Sequence, residues 1–186
     1  MTPSGELWAI YSGRGGEAYF GEVVSTLEHS LQAAYFAQES QGSDALVVAA
    51  LLHDIGHLIE SAPSEIAAWN IDARHEVSGA RWLACRFGPD VYEPVRLHVP
   101  AKRYLCATDP NFLGQLSPAS TRTLALQGGP MSEAEVDAFR REPFHRDAIR
   151  LRRFDDQGKI AGLRTPDFAY YRGLIDRIAG GGARWP

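Results

Sequence analysis

The stretch DALVVAALLHDIGHLIE, residues 44–60, is apolar almost all round and carries His53, Asp54 and His57 in its middle. A helix without a polar face has to be buried, so this segment is expected to form the centre of the fold. Burying an ionised carboxylate beside two imidazoles is costly unless something pairs with them. A cation solves the problem: it neutralises Asp54 and leaves the histidines as neutral ligands or neighbours. On a helix His57 shares the face of His53, and Asp54 points about 100° away. Imidazole and carboxylate together suit Fe, Mn or Zn.

The flanking sequence predicts more helices. Ser25 and Glu28 form a capping-box pattern opening a helix through about Ser40. Asp72 can cap a third helix, ARHEVSGARWLACRFG, which stops at Gly88-Pro89. DVYEPVRLHV reads as a shorter helical piece interrupted or kinked at Pro94. The stretch SPASTRTLALQGGPM reads as loop with a helical turn or two. A second capping box, Ser132 to Glu135, precedes EVDAFRR, and FHRDAIRLRRFDD continues as helix to about Gly158. Thr165-Pro166 supplies a cap and first helical position for the last helix, which runs to Gly180. The glycine-flanked residues 11–24 are expected to be a mobile loop, and residues 180–186 a frayed tail. Period-2 alternation is confined to residues 158–164, a short hairpin or loop. The expectation is one all-α domain spanning residues 1–186.

Composition removes several function classes. The net charge is −4, and basic residues cluster only in RDAIRLRR, so nucleic acid is not expected as a partner. No apolar stretch reaches the roughly 18 residues that cross a bilayer, and the first residues lack a signal-peptide pattern, so a cytoplasmic protein is expected. Cys85 and Cys106 are the two cysteines. Without a CxxC pattern they predict neither a thiolate zinc site nor, in the cytoplasm, a disulfide. Of the six histidines, His145 sits in the polar REPFHRD and reads as surface.

His29 on one helix, His53-Asp54 on the next and an aspartate on a late helix resemble the ligand pattern of the HD-domain superfamily. YFGEVVSTLEHSLQAAYFA (19–37), ALLHDIGH (50–57), HVPAKRYL (98–105), LSPAS followed by LQGGPM (116–131) and RRFDDQGK (152–159) make the chain similar to one branch, the mixed-valent diiron oxygenases. Within it the chain is closest to the enzymes that cleave 1-hydroxyphosphonates and, through YYRGLID (170–176), more distantly similar to myo-inositol oxygenase. The resemblance implies an HD-domain helical bundle around a dinuclear site of two iron ions, Fe2+ and Fe3+, with O2 as co-substrate. One iron would be held by His29, His53 and Asp155, the aspartate after the aromatic residue in RRFDD. Asp54 would bridge to a second iron held by His75 and His98.

The implied substrate is a small phosphonate, 2-trimethylammonio- or 2-amino-1-hydroxyethylphosphonate, and the products are glycine betaine or glycine plus inorganic phosphate. A phosphonate needs cationic donors. His57 lies one turn from the ligands, Lys102 four residues after His98 and Arg152 three before Asp155. Ser120 and Thr123 are implied as hydroxyl donors. Tyr19 and Glu22 are implied to form a lid over the second metal and the substrate's nitrogen end: Glu22 attracts an ammonium, and Tyr19, with Phe20 and Trp69, offers aromatic surface for a cation. An upstream hydroxylase would supply the 1-hydroxyl. Two other readings share the same ligands: an HD phosphohydrolase acting on a nucleotide or phosphomonoester, and a non-catalytic domain stabilised by metal.

Overall fold

The structure, a computed structural model, describes residues 1–17, 19, 21–59 and 74–180. They form ten α-helices: α1 (Pro3–Arg14), α2 (Thr26–Glu39), α3 (Asp44–Leu52), α4 (Ile55–Ile59), α5 (His75–Ala84), α6 (Pro89–Thr108), α7 (Pro118–Leu126), α8 (Glu133–Arg141), α9 (His145–Gln157) and α10 (Phe168–Ile178). No strand occurs among the described residues.

Hydroxyl and carboxylate caps start most of these helices. Ser25–Glu28 and Ser132–Glu135 both close as capping boxes, satisfying two otherwise orphaned N–H groups each. Ser43 and Ser117 accept from the backbone three residues on. The last helix is capped by Asp167, two residues later than Thr165-Pro166 suggests.

The apolar helix α3 lies at the centre, and every residue from Ala45 to Leu52 is buried. It packs against α2 and α6, while α6 in turn packs against α5 and α9. These packed helices carry the histidines and aspartates inward. Both cysteines are free.

Four expectations need correction. The helix expected over 44–60 breaks after Leu52, and His53 and Asp54 occupy the break before α4. α6 runs through both Pro94 and Pro100 for 20 residues. Its buried contacts with α5 and α9 override the two lost N–H donors. Residues 118–126 form a full helix, started by Ser117 and by Pro118 at its first position. Residues 11–14 belong to α1 rather than to a loop, because Thr2 caps the helix by accepting from the Gly5 N–H and Tyr11 is buried. Phe20, Trp69, Asp72 and the tail beyond Gly180 lie outside the described residues. No helix among the described residues is long and apolar enough to cross a membrane.

Candidate metal centre

Helix α1 supports the break that holds the His-Asp pair. The Tyr11 hydroxyl donates to the Leu51 carbonyl at 2.8 Å, and Arg14 donates to the Leu58 carbonyl at 3.1 Å. These donors satisfy carbonyls at the ends of α3 and α4. His53 and Asp54 can therefore leave regular helix without stranding buried backbone.

Four imidazoles and two carboxylates meet there. His29 comes from α2, His75 opens α5, His98 lies within α6 and Asp155 in the last turn of α9; all are buried. Asp54 stands between two histidine pairs. Its Oδ2 lies 3.3 Å from His53 Nε2 and 3.7 Å from His29 Nε2. Its Oδ1 lies 3.2 Å from His75 Nε2 and 3.6 Å from His98 Nε2. Asp155 Oδ1 adds itself to the first pair, 3.4 Å from His29 and 3.9 Å from His53. It is buried with no hydrogen-bond partner. Asp156 grips Arg152 instead.

The hydrogen bonds fix which nitrogen faces inward. His29, His53 and His98 donate from Nδ1 to the carbonyls of Gly158, Ala50 and Val95 at 2.8, 2.8 and 2.7 Å. A carbonyl only accepts, so each Nδ1 carries the proton and each neutral Nε2 presents a lone pair. Yet His29 and His53 Nε2 are 3.1 Å apart, and His75 and His98 Nε2 are 3.2 Å apart. Lone pairs that close repel unless a proton or a cation sits between them. Two ligands about 2.1 Å from one ion at a right angle would lie about 3.0 Å apart, close to what is seen. Two groups, His29 with His53 and Asp54, and Asp54 with His75 and His98, could each hold an ion.

Without an ion, protons share this space. Burial opposes charge on His53, but Asp54 and Asp155 outweigh it and raise the imidazole to about 9. His98 goes the other way: burial, then the His75 and His53 charges, hold it well below its usual value. Asp54 resists burial through His53 and His75 and stays ionised far below the carboxylate range. His57 stacks on His75 with ring centroids 3.9 Å apart, and burial and His75 push it down to about 3. It is thus a neutral neighbour of the ligands.

Beside the cluster lies a group of cations and hydroxyls. Lys102, 2% exposed, donates to Thr123 Oγ1 at 2.9 Å. Arg152 reaches Ser120 Oγ at 3.4 Å and Asp155 Oδ2 at 2.7 Å. Burial, with Arg152 next, lowers Lys102 to about 8. A third cation, Lys159, was not singled out from sequence. Its Nζ lies 3.2 Å from Ser120 Oγ and 3.8 Å from Asp155 Oδ1. Its spacing of four residues from Asp155 was the available signal, masked because Gly158 ends the helix between them. Arg152 is also less available than its sequence position suggests, since both Asp155 and Asp156 hold it.

The loop over the site is built by a turn. Glu22 N–H donates to the Tyr19 carbonyl at 2.7 Å, with Gly21 at φ 80°. That positive φ at the third turn position suits glycine. Tyr19 N–H to Val24 and Thr26 N–H to Glu17 tie the loop's sides together. Tyr19 stacks on His29 at 4.0 Å and donates to Asp54 Oδ2 at 2.5 Å. It thus covers the His29 side of the cluster, not the His75–His98 side where the expected lid placed it, because the turn runs directly into α2. Glu22 Oε1 is buried with no hydrogen-bond partner, and Lys159 Nζ is 4.0 Å away. His145 is not part of the cluster; its Nδ1 donates to the Glu142 carbonyl.

Comparison with known proteins agrees with this geometry. The HD domain family matches residues 26–137. A hydroxymethylphosphonate dioxygenase from Gimesia maris is 46% identical over 162 residues, 87% of this chain and 81% of its own. A 1-hydroxy-2-(trimethylamino)ethylphosphonate dioxygenase (glycine-betaine-forming) from Leisingera caerulea is 40% identical over 176 residues, 92% of this chain and 88% of its own. An uncharacterized protein of Acanthamoeba polyphaga mimivirus is 36% identical over 168 residues, 89% and 77% of the two chains. With Asp54 flanked by two histidine pairs, cations alongside and these relatives, the chain belongs to the HD-domain phosphonate oxygenase family.

Proposed function

We propose that this protein uses O2 to cleave the carbon–phosphorus bond of a small 1-hydroxyphosphonate, giving a carboxylate and inorganic phosphate. The observation that carries this is the position of Asp54, one oxygen toward each histidine pair, next to two buried cations, Lys102 and Arg152, the half-buried Lys159 and two hydroxyls. The reaction balances without a reductant: R–CH(OH)–PO3(2−) and O2 become R–COO−, HPO4(2−) and H+. His29, His53 and Asp155 would hold one ion, His75 and His98 the second, with Asp54 shared. Iron fits the imidazole and carboxylate donors, and a mixed-valent pair, when bound, supplies the Lewis acidity and the redox chemistry with O2.

The remaining residues do the positioning. Lys102 and Thr123 on one side, with Ser120, Arg152 and Lys159 on the other, receive the phosphonate oxygens through charged hydrogen bonds. That fixes C1 against the metal side of these cations. Glu22 brings an unsatisfied buried oxygen to the site, 4.0 Å from Lys159, suited to the ammonium of 2-trimethylammonio- or 2-amino-1-hydroxyethylphosphonate. Tyr19 covers the cluster and limits water. His57 buttresses His75 and keeps a neutral ring at the edge of the cluster. The protein acts as one domain in the cytoplasm, downstream of a hydroxylase that installs the 1-hydroxyl.

Incubating iron-loaded protein with 2-trimethylammonio-, 2-amino- and unsubstituted 1-hydroxyphosphonates, with and without O2, tests this. Phosphate and the matching carboxylate should appear only with O2. Release of phosphate from phosphomonoesters without O2, and none from hydroxyphosphonates, would make the protein a hydrolase instead.

A further inference from the structure

Three of the four clustered imidazoles have their Nδ1 proton held by a backbone carbonyl. For His53 and His98 the carbonyl lies three residues earlier in the preceding helical turn. His75 differs. It is the first residue of α5, after Arg74 in a left-handed conformation, so no turn of its own helix precedes it. Its Nδ1 faces a side chain instead: Glu76 Oε2 at 3.7 Å, with the carboxylate and the imidazole both buried. His75 is otherwise closely held. His57 stacks on its ring, and a Cβ at Gly56 would come within 2.1 Å of its carbonyl oxygen.

We propose that Glu76 is the positioning residue of His75, accepting its Nδ1 proton and so aiming Nε2 at the second ion. The 3.7 Å separation is longer than a direct hydrogen bond and is closed by a small side-chain rotation. A carboxylate behind a ligating imidazole fixes its tautomer and makes it a stronger donor than a carbonyl does. The two metal subsites are therefore unlike: His29 and His53 rest on backbone, whereas the His75–His98 subsite depends on a side-chain charge. Glu76 touches neither substrate nor ion, and the inference rests on the dinuclear reading above but not on its substrate.

The test counts metal, independently of turnover. Wild type, Glu76→Gln and Glu76→Ala are loaded anaerobically with two equivalents of Fe2+, equilibrated with graded chelator, and assayed for iron per chain. Metal-free melting temperatures are recorded in parallel. Both variants should hold one ion like wild type and bind the other about 10–100-fold more weakly, Ala more so than Gln, with the metal-free melting of Glu76→Gln unchanged. Retention of both ions at wild-type strength overturns the proposal. So does parallel weakening of both ions, which would make Glu76 a general packing residue. If Glu76→Ala does not fold, the isosteric Gln variant decides between these results. Selective loss of one ion in a protein that cleaves no phosphonate would sink the proposed activity and leave this inference standing.

Discussion

At the scale of single residues, Asp54 carries the most. Its two oxygens face different histidine pairs, so replacing it should affect both ions together. Asp54→Asn is expected to lower iron from two ions per chain to one or none, measured by elemental analysis after dialysis. Lys102 gives a pH signature. Its ammonium, lowered to about 8 by burial and Arg152, loses its proton as pH rises through that value. Affinity for a dianionic phosphonate is thus complete below about 8 and falls above it, by at most about tenfold per pH unit. KM measured from pH 7 to 9.5 should rise accordingly, and Lys102→Arg should flatten the rise. Glu22→Ala should raise KM for an ammonium-bearing substrate, leave iron content unchanged and barely affect a substrate with no cation. His53 and Asp54 are legible in sequence because a buried carboxylate beside imidazoles demands a partner, whereas His29, His75, His98 and Asp155 enter only through the family resemblance. Lys159, Asp156 and Glu76 are not legible, since an isolated charge in sequence reads as solvated surface until packing buries it.

At the scale of elements, two close approaches and one break hold the centre in shape. α4 crosses α5 where Gly56 lies against His75 and Gly79 lies against Gly56. A methyl group at Gly56 meets backbone, which cannot yield as a flexible side chain does. Gly56→Ala is expected to destabilise by about 3 kcal/mol and to weaken the His75–His98 subsite first, measured by denaturant unfolding and iron retention. Tyr11→Phe removes the donor to the Leu51 carbonyl and should lower stability by about 1–3 kcal/mol. The capping boxes at Ser25 and Ser132 were readable because hydroxyl and carboxylate stand three residues apart. The C-terminal turn of α1 is obscured in sequence by the glycines at 13, 15 and 16, which read as loop although Thr2-Pro3 is a cap and first-position pair. The course of α6 through Pro94 and Pro100, and the break at His53-Asp54, were hidden for one reason: tertiary contacts decided them, through α5 and α9 in the first case and the α1 donors in the second.

At the scale of the molecule, helices far apart in sequence converge on one charged centre. His29, His53 and His98 sit in α2, beside α3 and in α6, with Asp155 arriving from α9. Ions that bind only the folded chain should stabilise it by about 3 kcal/mol when free metal stands 100-fold above Kd. Stripping the metal should then lower the melting temperature by about 5–10 °C. The all-helical class followed from the apolar run and the caps, whereas the convergence itself needed three dimensions. The most direct measurement is a crystal structure of the iron-loaded protein with anomalous data collected on both sides of the iron edge. Two iron peaks are predicted, one between His29, His53 and Asp155 and one between His75 and His98, with Asp54 touching both. A single peak, or ions lying away from Asp54, would contradict the account.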